Sequence, residues 1–204
     1  MADTATTIQS WRKRLMQAHE HETLPVGGKR ALSSQAAAAK MIRKTLKTVF
    51  PSTTFSVTSD SFAGGDSIDI GWTDGPTTDM VEAVTSRHEY GHFDGMIDLY
   101  EYSNTRDDIP QSKYVHGQRG FSRESLIAAI EYCNKRYGWD LRIHPEHRCV
   151  DHESDFHTGN GWASHDVNRF MHKTSLLCDN CTANTLPGDQ FCSECGSPLT
   201  DGDA

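Results

Sequence analysis

The chain has 204 residues, with 28 Asp and Glu against 20 Lys and Arg, giving a formal net charge of −8 with its eleven histidines neutral. Hydrophobic residues make up 36% and charged residues 24%, which suits one or two ordinary cores and excludes a wholly disordered chain. The acidic balance argues against non-specific nucleic-acid binding by the whole chain, and no apolar run approaches the ~18–20 residues of a membrane span.

The opening MADTATTIQSW carries no apolar signal segment, so a soluble protein is expected. Residues 1–7 read as a loose tail. Ile8, Trp11 and Leu15 then share one face of a short helix, with Arg12, Lys13 and Arg14 around the other. A solvated face is the simplest reading of that basic trio, with a phosphate or partner contact as the alternative. PVGGKR breaks the helix. Residues 34–49, SQAAAAKMIRKTLKTV, predict a helix: alanines favour it, Ser33 or Ser34 can cap it, and Met41, Ile42, Leu46 and Val49 form its apolar stripe. Pro51 stops it.

TTFSVTS and SIDIGW alternate apolar and polar residues on either side of the turn FAGGD, which predicts an antiparallel hairpin with one wet face. Thr77 or Thr78 can cap a helix carrying Met80, Val81 and Val84. Ile97, Leu99 and Tyr100 predict a strand, residues 103–112 a polar loop, and KYVHGQR another strand. SRESLIAAIEYCNKRYG reads as a capped helix with Leu126, Ile127, Ile130 and Cys133 or Tyr137 inward, ended by Gly138. Cys133 is therefore expected as a core thiol. Beyond 140 the texture turns polar, with one short helix over SHDVNRFMHKTS. The order predicts an α+β fold: helices packed on a small antiparallel sheet, plus a C-terminal four-cysteine zinc ribbon.

Cys178, Cys181, Cys192 and Cys195 form two C-x-x-C pairs ten residues apart. Two such turns facing each other supply four thiolates at tetrahedral corners, with Zn–S near ~2.3 Å. Four protein ligands leave no open position, so the expected cofactor is one structural Zn²⁺. A rubredoxin-type iron site and two disulfides are the alternatives. The intervening TANTLPGDQF has no Lys or Arg, which favours a protein-contact or structural role over phosphate binding.

His144, His147, Cys149, His152, His157, His165 and His172 crowd a polar stretch without a defensible four-ligand spacing. Scattered surface histidines are the favoured reading, and a second metal site involving Cys149 is the alternative. His88, Glu89 and His92 spell H-E-x-x-H. A zinc hydrolase would need both histidines one turn apart on a continuing helix, a third ligand, and an open position for water. Gly91 lies inside the motif and the turn signal Asp94-Gly95 follows, so the helix is expected to end near Tyr90 and split the pair.

AAKMIRKTLKTVFPSTTFSVTSDSFAGGDSIDIGWTDGPTTDMVEAV and GHFDGMIDLYEY together resemble the large polyvalent protein-associated domains, specifically the twenty-ninth type. The resemblance covers roughly 36–137 and reaches toward 175 through GWASHDVNRFMHKTSL. It implies an accessory protein of a phage, plasmid or conjugative element, acting in host takeover, with no known reaction and no metal-peptidase motif. It implies residence in the host cytoplasm, with virion association open. The expected organisation is an N-terminal helix and linker (1–33), an α+β domain (34–175), a zinc ribbon (176–199) and an acidic tail (200–204). The expected role is non-enzymatic binding of a host or element-encoded protein, without a membrane. A nucleic-acid-associated module using the basic faces 11–14 and 40–47 is the first alternative, and a hydrolase at His88, Glu89 and His92 the second. Loops 59–66 and 91–95 would form a recognition cleft if they meet at one end of the sheet; turn chemistry is the simpler reading.

Overall fold

A computed structural model describes residues 10–20, 32–151, 163–178, 184–192, 194 and 196–199. The expected tail, the PVGGKR break, His152, His157, Cys181, Cys195 and the acidic end lie outside the described residues. The chain divides into two compact units, one of Met1–Trp72 and Thr78–Gln118, the other of Thr73–Thr77 and Arg119–Ala204. Among the described residues no helix is long and apolar enough to cross a membrane.

In the first unit, helix α1 (Ser10–Glu20) packs on helix α2 (Ser34–Val49), and Trp11 stacks on Phe50 with ring centroids 6.0 Å apart. The alanine run lets α2 approach closely: Ala37, Ala38 and Ala39 are buried, as are Ile42, Leu46 and Val49. Each of the three larger side chains contributes about 1.5–3 kcal/mol by leaving water. Ser33 stands at the N-cap without a side-chain cap bond, while the Ser34 hydroxyl donates to the Gln111 carbonyl at 2.6 Å.

Strands β1 (Phe55–Phe62) and β2 (Gly65–Thr73) form the expected antiparallel hairpin, with Val57 opposite Ile70 and Phe55 opposite Trp72 on the inner face. Ser56, Thr58 and Asp69 lie on the alternate, outer positions. Gly64, at φ +118°, makes the turn. Helix α3 (Thr78–Thr85) follows and passes into a short 3₁₀ turn at Ser86–His88.

The strand expected across Ile97–Tyr100 is instead a small hairpin, β3 (His92–Asp94) paired antiparallel with β4 (Leu99–Glu101). Asp94 accepts the Met96 N–H at 2.8 Å and Asp98 takes a positive φ of 54°, so local turn chemistry overrides the apolar pattern and Ile97 stays exposed. Strand β5 (Tyr114–Gly120) completes the sheet order β1-β2-β5. Asp66 at the start of β2 accepts the Lys113 N–H, and the N–H of Asp74 just past β2 donates to Gly120 at the end of β5. β5 therefore runs in the same direction as β2, which corrects the expectation of a wholly antiparallel sheet. The long excursion through α3 and the β3–β4 hairpin is the crossover that a parallel neighbour requires.

In the second unit, helix α4 (Arg123–Tyr137) is capped by Ser122, whose hydroxyl accepts the Ser125 N–H at 3.1 Å, and is closed by Gly138 at φ +71°. Leu126, Ala129, Ile130 and Cys133 pack with Val167 and Met171 of helix α5 (Ala163–Lys173) and with Leu141, Val150 and Leu176. Cys133 is 1% exposed and Tyr137 52%, so the inward position belongs to the thiol. In the C-terminal segment Leu177 forms an antiparallel bridge with Asn184, and Phe191 with Pro198. Cys178 and Cys192 are buried there.

Candidate functional site

The H-E-x-x-H residues do not share a helical face. Helix α3 ends at Thr85, three residues before His88. His88 is fully buried, and its Nδ1 lies 3.0 Å from the Pro110 carbonyl oxygen. His92 is exposed on β3, with Nδ1 3.2 Å from the Ser103 hydroxyl and Nε2 3.7 Å from Glu101. Glu89 turns elsewhere and accepts the Val115 N–H at 3.3 Å. The geometry a zinc hydrolase would need is therefore not assembled by His88, Glu89 and His92, because the backbone between them is extended rather than helical. Burial raises the Glu89 carboxyl above its ordinary range, opposed by the Val115 N–H.

What holds this segment is a buried amide. Gln111 is 1% exposed; its Nε2 donates to the carbonyls of Arg87 (2.9 Å), Asn104 (2.7 Å) and Glu89 (3.3 Å), and its Oε1 accepts the Arg106 N–H at 2.7 Å. Asn104 adds donors to Ser86 and Glu89 carbonyls at 3.0 and 2.8 Å. The polar loop 103–112 thus fixes residues 86–90 from the inside. Gly91 is required at the base of the next hairpin, since a Cβ there would sit 1.7 Å from the Glu101 carbonyl oxygen.

The hairpin so anchored carries its apolar side chains outward. Phe93 is 54% exposed, Met96 93%, Ile97 55% and Leu99 61%. Beside it lies a tyrosine cluster: Tyr100 meets Tyr102 at 4.9 Å and Tyr114 at 5.4 Å, and Tyr102 meets Tyr90 at 6.3 Å. The Lys113 ammonium stands over both Tyr100 and Tyr114, at 5.2 and 5.4 Å from their ring centres. The Tyr100 hydroxyl donates to the Lys113 carbonyl, and its pKa is pushed up to about 12, first by burial and then by the Glu89 charge.

The loops 59–66 and 91–95 are linked through this cluster. Phe62 stacks on Tyr114 at 6.3 Å, Asp66 accepts the Ser112 hydroxyl and Lys113 N–H at 3.0 and 2.7 Å, and Lys113 Nζ donates to Gly64 at 2.9 Å. Gly65 leaves room for the Lys113 stem, which a Cβ would meet at 2.7 Å. The glycines and aspartates of the first loop thus serve turn and docking chemistry around Lys113. The aromatic and apolar groups of the hairpin thus face outward, while the polar groups around Lys113 are engaged by backbone. Sequence reading missed Gln111, Lys113 and Tyr114. The alternation Tyr100-Glu101-Tyr102 was a signal for two rings on one strand face, but not for their meeting Tyr114.

In the histidine-rich stretch, His144 Nδ1 accepts the N–H groups of Glu146 and His147 at 3.1 Å each, so that ring nitrogen closes a turn. His144 and His147 stack at 4.5 Å, and His172 meets Phe121 edge-on at 5.0 Å. Among the described residues no cluster of three or more His, Cys, Asp or Glu is placed to hold a metal ion. Of the four expected zinc ligands only Cys178 and Cys192 are described, so the zinc ribbon itself is not displayed.

No curated protein and no solved structure matches the chain. Residues 33–127, which span the α2 helix, the three-stranded sheet, the exposed hairpin and the tyrosine cluster, match the family model described as Large polyvalent protein associated domain 29, a domain associated with phages and other mobile elements.

Proposed function

We propose that this is a non-enzymatic accessory protein of a phage or plasmid that binds a host or element-encoded protein through the β3–β4 hairpin. The observation that carries this reading is the outward apolar tip, Phe93, Met96, Ile97 and Leu99, on a hairpin fixed at its base by Gln111 and Gly91. Holding the hairpin at its base lowers the conformational entropy lost on docking. Asp94, Asp98 and Glu101 rim it, so the fitting partner offers an apolar pocket edged by Lys or Arg. The test is co-purification from host lysate with wild type and a Phe93→Asp/Met96→Asp variant, both side chains being exposed enough to leave the fold intact. One protein captured by wild type and lost by the variant is expected. Undiminished capture by the variant overturns the reading.

In this reading residues 34–175 carry the recognition fold, and one Zn²⁺ on Cys178, Cys181, Cys192 and Cys195 holds the segment 176–199. The chemistry of the described half fits the metal. Leu177 bridges Asn184 and Phe191 bridges Pro198, and the Gly196 N–H donates to the Cys192 carbonyl at 2.9 Å with Gly196 at φ +68°. Four thiolates from two C-x-x-C pairs are the donor set of a closed, structural zinc site. One zinc per chain is expected by metal analysis, falling toward zero in Cys178→Ser. A metal-free, equally folded wild-type chain from zinc-supplemented expression overturns this part.

A second reading rests on a different observation. Lys40, Arg43, Lys44 and Lys47 form an exposed basic stripe on α2, beside α1 with exposed Arg12 and Lys13. That stripe suits nucleic-acid phosphates despite the net charge of −8. It predicts oligonucleotide binding that weakens steeply with salt and is abolished by Lys44→Glu/Lys47→Glu. Salt-insensitive or absent binding removes it.

A further inference from the structure

The second unit holds an open cavity of about 330 Å³ beside α4 and α5. Part of its lining is aromatic. Tyr137 and Trp139 stack with ring centroids 4.7 Å apart, and Phe170, which also lines the cavity, is itself stacked on Tyr132 at 5.0 Å. Gly138 stands between the first two in the left-handed conformation, which folds Trp139 back onto Tyr137. Asn134 fixes the loop by exchanging two 2.9 Å bonds with the Leu141 backbone. The aromatic wall is therefore preorganised.

Arg169 and Lys173 also line the cavity, one turn apart on α5. Both are exposed, and among the described residues neither has a carboxylate partner. Like charges at this spacing repel each other on a helix, and an anion between them removes that repulsion. Asp166, one turn earlier, supplies a hydrogen-bond acceptor in the same cavity. Cys133 at its base is buried and its thiol is pushed up to about 11 by that burial, so it contributes shape rather than a nucleophile.

We propose that this cavity binds a nucleoside monophosphate. The base stacks on the Trp139–Phe170 side, the phosphate is held by Arg169 and Lys173, and Asp166 accepts from a ribose hydroxyl or a base amino group. Flat rings with a π-face are the natural partners of such walls, and Arg binds phosphate through paired N–H groups. Size fits the ligand: the volume lies at the lower end of the ~300–1,000 Å³ typical of ligand pockets, room for one nucleotide. The site is independent of the β3–β4 hairpin and stands or falls separately from the protein-binding reading.

The test is titration calorimetry on the full-length protein with adenosine and guanosine monophosphates, adenosine alone, inorganic phosphate alone, and a 5′-phosphorylated oligonucleotide. A monophosphate is expected to bind at least about tenfold more tightly than nucleoside or phosphate alone. Arg169→Glu/Lys173→Glu is expected to weaken it at least about tenfold with unchanged thermal melting, both side chains being exposed. Trp139→Leu, which keeps an apolar side chain, is expected to weaken nucleotide binding while leaving the weak binding of phosphate as it was. No heat at millimolar nucleotide, equal binding of phosphate alone, an unaffected double charge reversal, or tighter binding of the oligonucleotide than of the monophosphate would each overturn the proposal.

Discussion

Gln111 in the first unit and Arg119 in the second face the same problem: a long polar side chain, 1% and 7% exposed respectively, whose donors must all be met by protein. Gln111 answers as a neutral amide, with its donors on three carbonyls and its oxygen on one N–H. Arg119 answers as a cation. Its guanidinium donates to the carbonyls of Asp74 (3.1 Å), Gly75 (2.8 Å), Met171 (2.9 Å) and Thr174 (3.1 Å), and it lies over Phe121 at 4.9 Å. Met171 and Thr174 belong to the end of α5, where carbonyls lack helical partners and the dipole favours positive charge. Burial still costs the cation, and its pKa is lowered to about 10. The difference teaches where each kind of hub fits. A loop with mixed donors and acceptors takes an amide; a helix end offering only carbonyls takes a cation.

Breaking the cation hub should have the larger effect. Arg119→Met leaves four carbonyls short of a donor, a loss of about 3 kcal/mol. Hydrogen exchange should speed up in α5 and at Leu176, whose N–H bonds Gly75, and leave α2 protected. Arg119→Lys keeps the charge but not the fork, so it should recover only part of the loss. Gln111→Leu comes next, at about 2 kcal/mol, with faster exchange at Ser112 and Asn104, whose amides donate to His88 and Tyr90. Equal loss of protection in both units for both variants would show that the hubs do not act locally.

These hubs also mark where sequence reading stops. Helix α2 was legible because alanine content, apolar spacing and Pro51 agree, and the β1–β2 hairpin because alternation and a glycine turn agree. Gly91 and Asp94-Gly95 signalled that the H-E-x-x-H pair is split, but the helix ends at Thr85, earlier than the expected Tyr90. Gln111 was not legible, since a glutamine in a polar stretch signals a loop and burial depends on carbonyls distant in sequence. Nor was the divided strand near Met96, where an aspartate turn outweighed the apolar residues around it. The tyrosine cluster joins residues from β4 and β5, a pairing that no local pattern encodes.

Glu89, bound through its backbone carbonyl to the Gln111 hub, sharpens the comparison by the smallest change, carboxylate to amide. Burial raises its folded pKa above the ordinary 4.5, so the folded chain holds that proton more tightly than the unfolded chain. The stability this contributes is fully present below the unfolded value and is lost as pH rises through the higher folded one. Glu89→Gln keeps an oxygen for the Val115 N–H and carries no charge at any pH. The variant should therefore match wild type in acid and exceed it at neutral pH, in denaturant midpoints taken across that window. A second readout is independent of stability. The Glu89 charge helps burial push the Tyr100 phenol up to about 12, so Glu89→Gln should lower the pH at which that phenol ionises, seen as ultraviolet phenolate absorbance. If wild type and variant lose stability in parallel as pH rises, the carboxylate is solvated rather than buried.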